Sequence, residues 1–339
     1  MQPAPPGDGM KAAPDGGAAS SRRGKEGAAP ARPYRSGNEK TSRAGEAASS
    51  QCGKEGAARA GDAASSRGGK EGAAPAGPYM AWALAKLGHV DADFMDELVG
   101  AATPHLDSFN PQNLANMVWA LATPSQVDAD FMGKLLQVAK RQLGSFNPQG
   151  LANMAWALAA LDDQNTVSVL RVDALIEHNT ASAGGFTPEA RRQLFQFSLW
   201  LKTWQPSSTL PPRLLADCQR AWLGEVSKTT ESRTQEQVLR VIRQLPGCSD
   251  AISEHKTDDG LFSIGIAVTL PGGQKLAVEV DGPHHFLSNR QPDGATIMRN
   301  RLLEADCWRV VSVPATEWDG HYAKGEQAAR NYPAGKLGL

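Results

Sequence analysis

The first 79 residues of the chain lack valine, isoleucine, leucine, phenylalanine and tryptophan altogether. They hold instead 15 of the 34 glycines and 8 of the 22 prolines. Because a segment without large apolar side chains buries too little surface to offset its conformational entropy, residues 1–79 are expected to be a disordered low-complexity tail. The rest of the chain is long enough for two compact units.

Long apolar runs and paired cysteines are also missing. No run approaches the roughly 18 residues that a membrane-spanning helix requires, so no membrane partner is expected. The 4 cysteines are scattered without paired spacing, which argues against a disulfide framework and against a zinc ribbon. A reducing compartment fits this cysteine usage.

The tail repeats one motif, written SSRRGKEGAAPARPY at 20–34, SSQCGKEGAARAG at 49–61 and SSRGGKEGAAPAGPY at 65–79. Its 12 basic and 8 acidic residues give it a charge of +4. Arginine, serine and alanine are abundant, as in organelle transit peptides, but acidic residues are frequent and an apolar face is absent. The tail is therefore either a floppy extension or a targeting segment.

A helical repeat occupies residues 80–205. The stretch MAWALAKLGHVDADFMDELV returns as MVWALATPSQVDADFMGKLL, and Trp82, Trp119 and Trp156 follow one another at intervals of 37 residues. Each unit is interpreted as two helices, the first of which has Asn or Thr at its N-cap and Pro at its first position. Since these first helices are apolar on two faces, we expect them to stack as a short α-solenoid.

The second helices are expected to start near Asp91 and Asp128, and a diverged third copy is expected around residues 172–174. Residues 206–245 are interpreted as a helical connector together with the first helix of a C-terminal domain.

The pattern F-N/T-P-Q-x-L-A-N-M-x-W-A-L-A resembles the octotricopeptide repeat of green-algal organellar RNA-binding proteins. The resemblance implies that each unit contacts about one base of single-stranded RNA through polar side chains on the exposed rim of its first helix. The amide candidates for these contacts are Asn113, Asn116, Gln149 and Asn153. Amides donate and accept along base edges, although they also fit a role as solvated groups or as partners of the next turn.

Charge is distributed unevenly along this region. Residues 80–185 hold 5 basic and 11 acidic residues, whereas residues 186–245 hold 9 basic and 5 acidic residues. An acidic repeat region draws little affinity from phosphate contacts, so Arg191 and Arg192 in the basic segment are the better phosphate candidates. A solvated helix face is the alternative interpretation of these arginines.

The last part of the chain has a different pattern, which predicts a small α/β domain over residues 246–339. A helix over 231–245 precedes it, and within it we predict a hairpin of strands over 261–270 and 275–280, a helix over 296–307, a strand over 308–314 and a turn over 317–320. The order is thus α-β-β-α-β.

The segments KLAVEVDGPHHF and TIMRNRLLEADCWRVVSVPATEW resemble the RAP domain, which is named for RNA-binding proteins abundant in apicomplexans. Helical repeats followed by a RAP domain are also the layout of the FAST kinase family and its algal relatives. The resemblance implies an RNA-binding factor in organellar RNA processing, including rRNA processing, mRNA stability or translation. It further implies location in the chloroplast or mitochondrial matrix, with organellar ribonucleoprotein or ribosome components as further partners.

His285, Arg299 and Arg301 are the RNA-contact candidates within the RAP-like segment. The two arginines do not share a helix face, so one is expected to pair with Glu279 or Glu304 while the other faces RNA. The histidine, next to His284, is suited to touch phosphate or to stack on a base, and it equally suits a structural hydrogen bond.

The RAP fold in turn resembles PD-(D/E)xK endonucleases, which place an Asp on one strand and E-x-K on the next to hold a divalent metal. Here Gly265 stands where that Asp is expected, and Asp281 replaces the Lys in Glu279-Val280-Asp281. Glu279 and Asp281 point to one face of the strand, and Glu236 on the preceding helix offers a further carboxylate. Alternatively, Asp281 turns the chain and caps backbone N–H groups.

Three functions stay open at this point. The favoured interpretation is a non-catalytic RNA-binding factor without cofactor or bound metal, because the carboxylate array is incomplete. The second is a metal-dependent RNA endonuclease that uses Mg²⁺ with Glu279, Asp281 and Glu236. The third is a protein-interaction scaffold, which the acidic repeats favour and the basic connector opposes.

Overall fold

The computed structural model of the protein describes residues 76–89, 92–124, 129–164, 185–228 and 231–339. The prediction of a disordered tail therefore lies almost wholly outside the described residues, as does the expected third copy at 172–174. The first described helix begins at Ala76, so the last residues of the predicted tail are helical.

Helices make up the part of the structure before the sheet. They are α1 (Ala76–Lys86), α2 (Ala92–Ala102), α3 (Pro111–Ala122), α4 (Ala129–Gln142), α5 (Pro148–Leu161), α6 (Pro188–Trp204) and α7 (Pro212–Val226). Short 3-10 turns at Thr103–Ser108 and Leu143–Ser145 lead from α2 and α4 toward the next helices. Within the described ranges, no helix combines the length and the apolar character needed to cross a bilayer.

The predicted starts of the first helices are confirmed. The side chains of Asn110, Asn147 and Thr187 each accept a hydrogen bond from the backbone N–H three residues further on, and a proline follows each of them. Capping satisfies one of the donors that a helix start leaves unpaired, and proline loses nothing at that position. These three helix starts are therefore encoded locally.

The helices α1, α3, α5, α6 and α7 pack side by side in this order. Their contact faces are fully buried, as shown by Leu114, Met117, Leu151, Met154 and Leu194. Because each inner helix touches a neighbour on both sides, two faces of it must be apolar, as the sequence pattern predicted. The helices form one row, which is called the helical row below.

The C-terminal region contains a mixed sheet of four strands in the order β1-β2-β3-β4. Its elements are α8 (Arg233–Ile242), β1 (Ile252–Lys256), β2 (Ser263–Thr269), β3 (Lys275–Asp281), α9 (Gly294–Ala305), β4 (Arg309–Pro314), α10 (Ala315–Tyr322) and α11 (Glu326–Leu337). The hairpin β2–β3 is antiparallel, as predicted, and β4 runs parallel to β3. Helices α8, α10 and α11 cover one face of the sheet, and α9 with the helical row covers the other.

Two features of this domain differ from the prediction. The segment 317–320 lies inside α10 instead of forming a turn, because Trp318 is fully buried and holds the segment against the sheet core. Strand β1 was not predicted, since its residues ISEHK are polar and it forms by pairing with β2.

The sheet domain docks on the C-terminal ends of the helical row. The hydrogen bonds across this contact include Ser288 N–H to Gly88 O (2.9 Å), Gly294 N–H to Thr123 O (2.7 Å) and Arg301 Nη1 to Ala159 O (2.9 Å). A helix end leaves carbonyl groups without partners, and these donors supply partners at the ends of α1, α3 and α5. The C-terminal domain thus caps three helices of the row.

Candidate functional site

A carboxylate–arginine cluster lies where β3 faces α9. Glu279 and Asp281 alternate along β3, so their side chains leave the strand on the same side. The Arg299 guanidinium on α9 donates from Nη2 to Glu279 Oε1 at 3.1 Å and to Ser263 O at 2.7 Å. The expectation that one arginine of α9 pairs with Glu279 or Glu304 is therefore confirmed, and the pair is Arg299 with Glu279.

Burial dominates the electrostatics of this cluster. Burial raises the pKa of Glu279, and the positive charge of Arg299 opposes that rise. Burial likewise raises the pKa of Asp281, and a hydrogen bond from the Ser312 hydroxyl opposes it. Arg299 is thus a cation that favours the ionised form of both carboxylates, against the larger effect of burial. The Asp281 side chain accepts this bond from Ser312 on the neighbouring strand β4. This contact takes the place of the alternative role, in which Asp281 caps backbone N–H groups.

Glu236 is not a member of this cluster, contrary to expectation. The residues of α8 that face the protein are Gln235, Val238, Leu239 and Ile242, and Glu236 lies outside this face and is exposed. The helix begins after its N-cap Ser232. The helical phase that this start sets turns Gln235 inward and leaves Glu236 on the outside. Gln235 therefore occupies the place that had been expected for a carboxylate.

The Gln235 amide fills the space beside Gly265. Its Nε2 donates at 2.9 Å to Gly265 O and at 2.9 Å to Glu254 Oε1. A Cβ on Gly265 would lie 3.3 Å from Val278 O, which is a tight approach, and 3.6 Å from Gln235 Oε1, which is an ordinary contact distance. Among the described residues, no three His, Cys, Asp or Glu side chains form a group that could hold a metal ion.

The histidine pair stands at the end of β3. The two rings of His284 and His285 are 4.2 Å apart, and His285 Nδ1 lies 3.2 Å from the Thr296 hydroxyl. Burial lowers the pKa of His285 to about 4, so this ring is neutral at physiological pH. A neutral, hydrogen-bonded ring cannot form an ion pair with phosphate, which favours the structural role for His285.

Arg301 faces the helical row instead of solvent. Its Nη1 donates to Ala159 O at 2.9 Å, its Nη2 lies 3.4 Å from Ala160 O, and its Nε is 3.9 Å from an Asp162 carboxylate oxygen. The guanidinium therefore caps the C-terminal end of α5. From the sequence, one arginine of α9 was expected to face RNA. Arg301 instead contacts the helical row, where it helps to dock the sheet domain.

The amide candidates of the repeats are not on an exposed rim. Asn113, Asn116 and Asn153 retain only 1%, 4% and 8% of their accessible surface. Gln149 Nε2 donates to Asn153 Oδ1 at 2.9 Å and to Gln193 Oε1 at 3.0 Å, so these amides bond one another between α5 and α6. The expectation of an exposed rim is wrong for Asn113, Asn116 and Asn153, because neighbouring helices cover them, whereas Gln149 is half-buried.

Gln193 was missed by the sequence analysis although a signal was present. It is displaced by 40 residues from Asn153, as Phe186 is from Phe146, so the repeat alignment places it at the same position. Its Nε2 donates to Asn153 Oδ1 at 3.1 Å.

The basic candidates Arg191 and Arg192 lie on α6, next to α7. Arg192 Nη1 lies 3.5 Å from a Glu225 oxygen, and its side chain is 15% exposed. Arg191 is half-buried near Cys218, where its charge lowers the thiol pKa while burial raises that pKa to about 12. Arg192 therefore joins α6 to α7 through Glu225. Arg191 lies half-buried beside α7, and its Nε has no hydrogen-bond partner among the described residues, so its predicted contact with phosphate stays a prediction.

A comparison with known protein families gives one match for this region. The family model described as RAP domain matches residues 278–332, from β3 to α11. The matched range contains the cluster residues Glu279, Asp281 and Arg299 as well as the docking residue Arg301. Residues 278–332 are thus similar to the RAP domain, which is generally an RNA-binding domain.

Proposed function

We propose that this protein is an RNA-binding factor that holds single-stranded RNA without cleaving it. The observation that carries the proposal is the position of the Arg299 guanidinium, 3.1 Å from Glu279 Oε1 inside the carboxylate–arginine cluster. The RAP-domain match supports RNA as the ligand class.

The chemistry of the cluster supports binding over cleavage. Nucleases of the PD-(D/E)xK type use their carboxylates to hold a divalent ion, which activates water and stabilises the charge on the scissile phosphate. In this chain the carboxylate of Glu279 is neutralised by an arginine. A guanidinium stays protonated and, unlike a metal ion, does not coordinate and activate a water molecule. Asp281 stands at the position of the catalytic lysine, and Gly265 at that of the first aspartate.

An organellar role is part of the proposal. Helical repeats of the octotricopeptide type before a RAP domain are the layout of factors that act on chloroplast or mitochondrial RNA. Microscopy of the tagged full-length protein should place it in one of these organelles, with organellar ribonucleoprotein or ribosome components among its partners. Purely nuclear or cytosolic signal would contradict this part.

Single-stranded RNA binding by the full-length protein tests the core of the proposal. Fluorescence anisotropy with a labelled RNA at increasing salt should show binding whose log K falls linearly with log salt. Contacts to two to four phosphates predict a slope of about −1.4 to −2.8. A duplex of the same sequence serves as the control and should bind more weakly. Failure to bind single-stranded RNA at low salt would contradict the proposal and favour a protein-interaction scaffold.

A further inference from the structure

A groove opens on the face of the sheet domain that is turned away from the helical row. It has a volume of about 440 Å³ and lies between α8, α10 and α11. These helices cover one face of the sheet, whereas the carboxylate–arginine cluster faces α9 on the other. The groove is thus a feature separate from the nuclease-like site.

The lining of the groove combines cations, amides and one aromatic ring. The polar and aromatic lining residues are Arg240, Arg330, Gln237, Gln244, Tyr322 and Glu326. The lining contains two guanidinium groups and one carboxylate, so its net charge is positive, although the net charge of the whole chain is −1. A positive groove attracts an anionic ligand.

The side chains of α8 are arranged along the groove. Gln237, Arg240 and Val241 line the groove, and their spacings of three and four residues from Gln237 place them on one face of the helix. Arg240 is exposed and has no hydrogen bond or ion pair within the described part of the chain. Arg330 on α11 donates to Gln244 O at 3.1 Å, which fixes the second guanidinium at the end of α8.

Tyr322 supplies an exposed ring at the end of α10. The residue keeps 47% of its accessible surface, and its ring lies 5.5 Å from that of the buried Trp318. An anchored aromatic ring next to two cations is the arrangement on which nucleic-acid bases stack. An acidic peptide would use the guanidinium groups but has no need of such a ring.

We propose that this groove, which we call the α8–α11 groove, binds single-stranded RNA. Arg240 and Arg330 contact successive phosphates, and an unstacked base lies on the Tyr322 ring. A single strand is required because duplex RNA keeps its bases stacked and unavailable. The proposal rests on the proposed function and gives it a location outside the nuclease-like cluster.

To test the arginine pair, the RNA affinity of the full chain is measured for the double variant Arg240→Ala/Arg330→Ala. With a labelled oligouridylate of about 12 nucleotides, we expect binding at low salt to weaken about tenfold and the salt slope to shrink by about 1.4, the value for two phosphates. Lys134→Ala with Lys140→Ala removes the same charge from exposed positions of α4 and should change affinity less than about twofold.

The stacking contact is tested at Tyr322 with the same oligonucleotide. Tyr322→Ala should weaken binding by about fivefold or more, whereas Tyr322→Phe keeps the ring and should bind as the wild type does. Tyr79→Ala, which removes a ring that is 46% exposed on α1, is the matched control and should have no effect. Glu326→Gln should tighten binding, a gain that misfolding cannot mimic.

The outcomes separate the groove from the proposed function. If the arginine-pair variant and Tyr322→Ala bind RNA as tightly as the wild type, the proposed groove site is wrong and RNA binds elsewhere on the protein. Absence of wild-type binding overturns the proposed function itself, and the groove with it. Selective loss in both groove variants, with the α4 and Tyr79 controls intact, supports the groove.

Discussion

Gly294→Ala is expected to lower the free energy of unfolding by about 3 kcal/mol. A Cβ at this position would lie 2.4 Å from Ala122 O and 3.3 Å from Thr123 O. These obstacles are backbone atoms at the end of α3, so no side-chain rotation relieves the clash. The domain contact must open, and the 2.7 Å hydrogen bond from Gly294 N–H to Thr123 O is lost with it.

Urea unfolding followed by tryptophan fluorescence measures this effect. Gly335→Ala is the matched control, because it adds the same methyl group inside α11 where no heavy atom lies within 4 Å. Alanine is the better helix former, so this control should gain up to about 1 kcal/mol. Equal unfolding midpoints for the two variants would show that the C-terminal domain does not dock on α3 as described.

Arg299→Ala is the second substitution with a large expected effect, a loss of about 3 kcal/mol at neutral pH. Removing the guanidinium leaves a buried carboxylate without its cation, since the Glu279 side chain is only 14% exposed. The Ser263 carbonyl loses its donor as well. Lys336→Ala breaks the more exposed ion pair with Glu317 and should cost less than about 1 kcal/mol.

The pH dependence of the Arg299→Ala deficit identifies its cause. Burial already holds the folded-state pKa of Glu279 above its ordinary value of 4.5, so the folded state binds this proton more tightly than the unfolded state. Stability associated with this group therefore falls as pH rises from the ordinary value through the folded-state value. Without Arg299 the folded-state pKa rises further, and the deficit should grow between pH 5 and pH 8.

Urea unfolding of both proteins at the two pH values checks this sign. Glu279→Gln combined with Arg299→Ala removes the stranded charge and should recover much of the loss at pH 8. A deficit that is the same at both pH values, or a double variant that is no more stable than Arg299→Ala, would assign the effect to lost packing alone.

Local signals in the sequence were sufficient for much of this fold. The caps Asn110, Asn147 and Thr187 act on N–H groups three residues away, so their role needs no knowledge of neighbouring helices. The sequence also indicated that one arginine of α9 pairs with Glu279 or Glu304, since a buried carboxylate in a strand next to a helix requires a cation. Only the structure shows that the pair is Arg299 with Glu279.

Contacts between distant segments decided the features that the sequence left open. Asn153 has the polarity of a surface residue, and only the packing of α6 on α5 shows that its amide is covered. Glu236 is an exception, because the helix that begins after the nearby N-cap Ser232 turns it outward, and this is a local effect. The end of α5 that Arg301 caps lies 142 residues earlier in the chain, beyond the reach of any local pattern.

The fate of bound RNA is the most direct test of the proposal that the protein binds RNA without cleaving it. End-labelled single-stranded RNA is incubated with the full-length protein in EDTA, in Mg²⁺ and in Mn²⁺, and is then run on native and denaturing gels. We predict a shifted band on the native gel and intact RNA on the denaturing gel under all three conditions. Shorter fragments that require metal and disappear in Glu279→Ala would contradict the proposal, as would the absence of any shift.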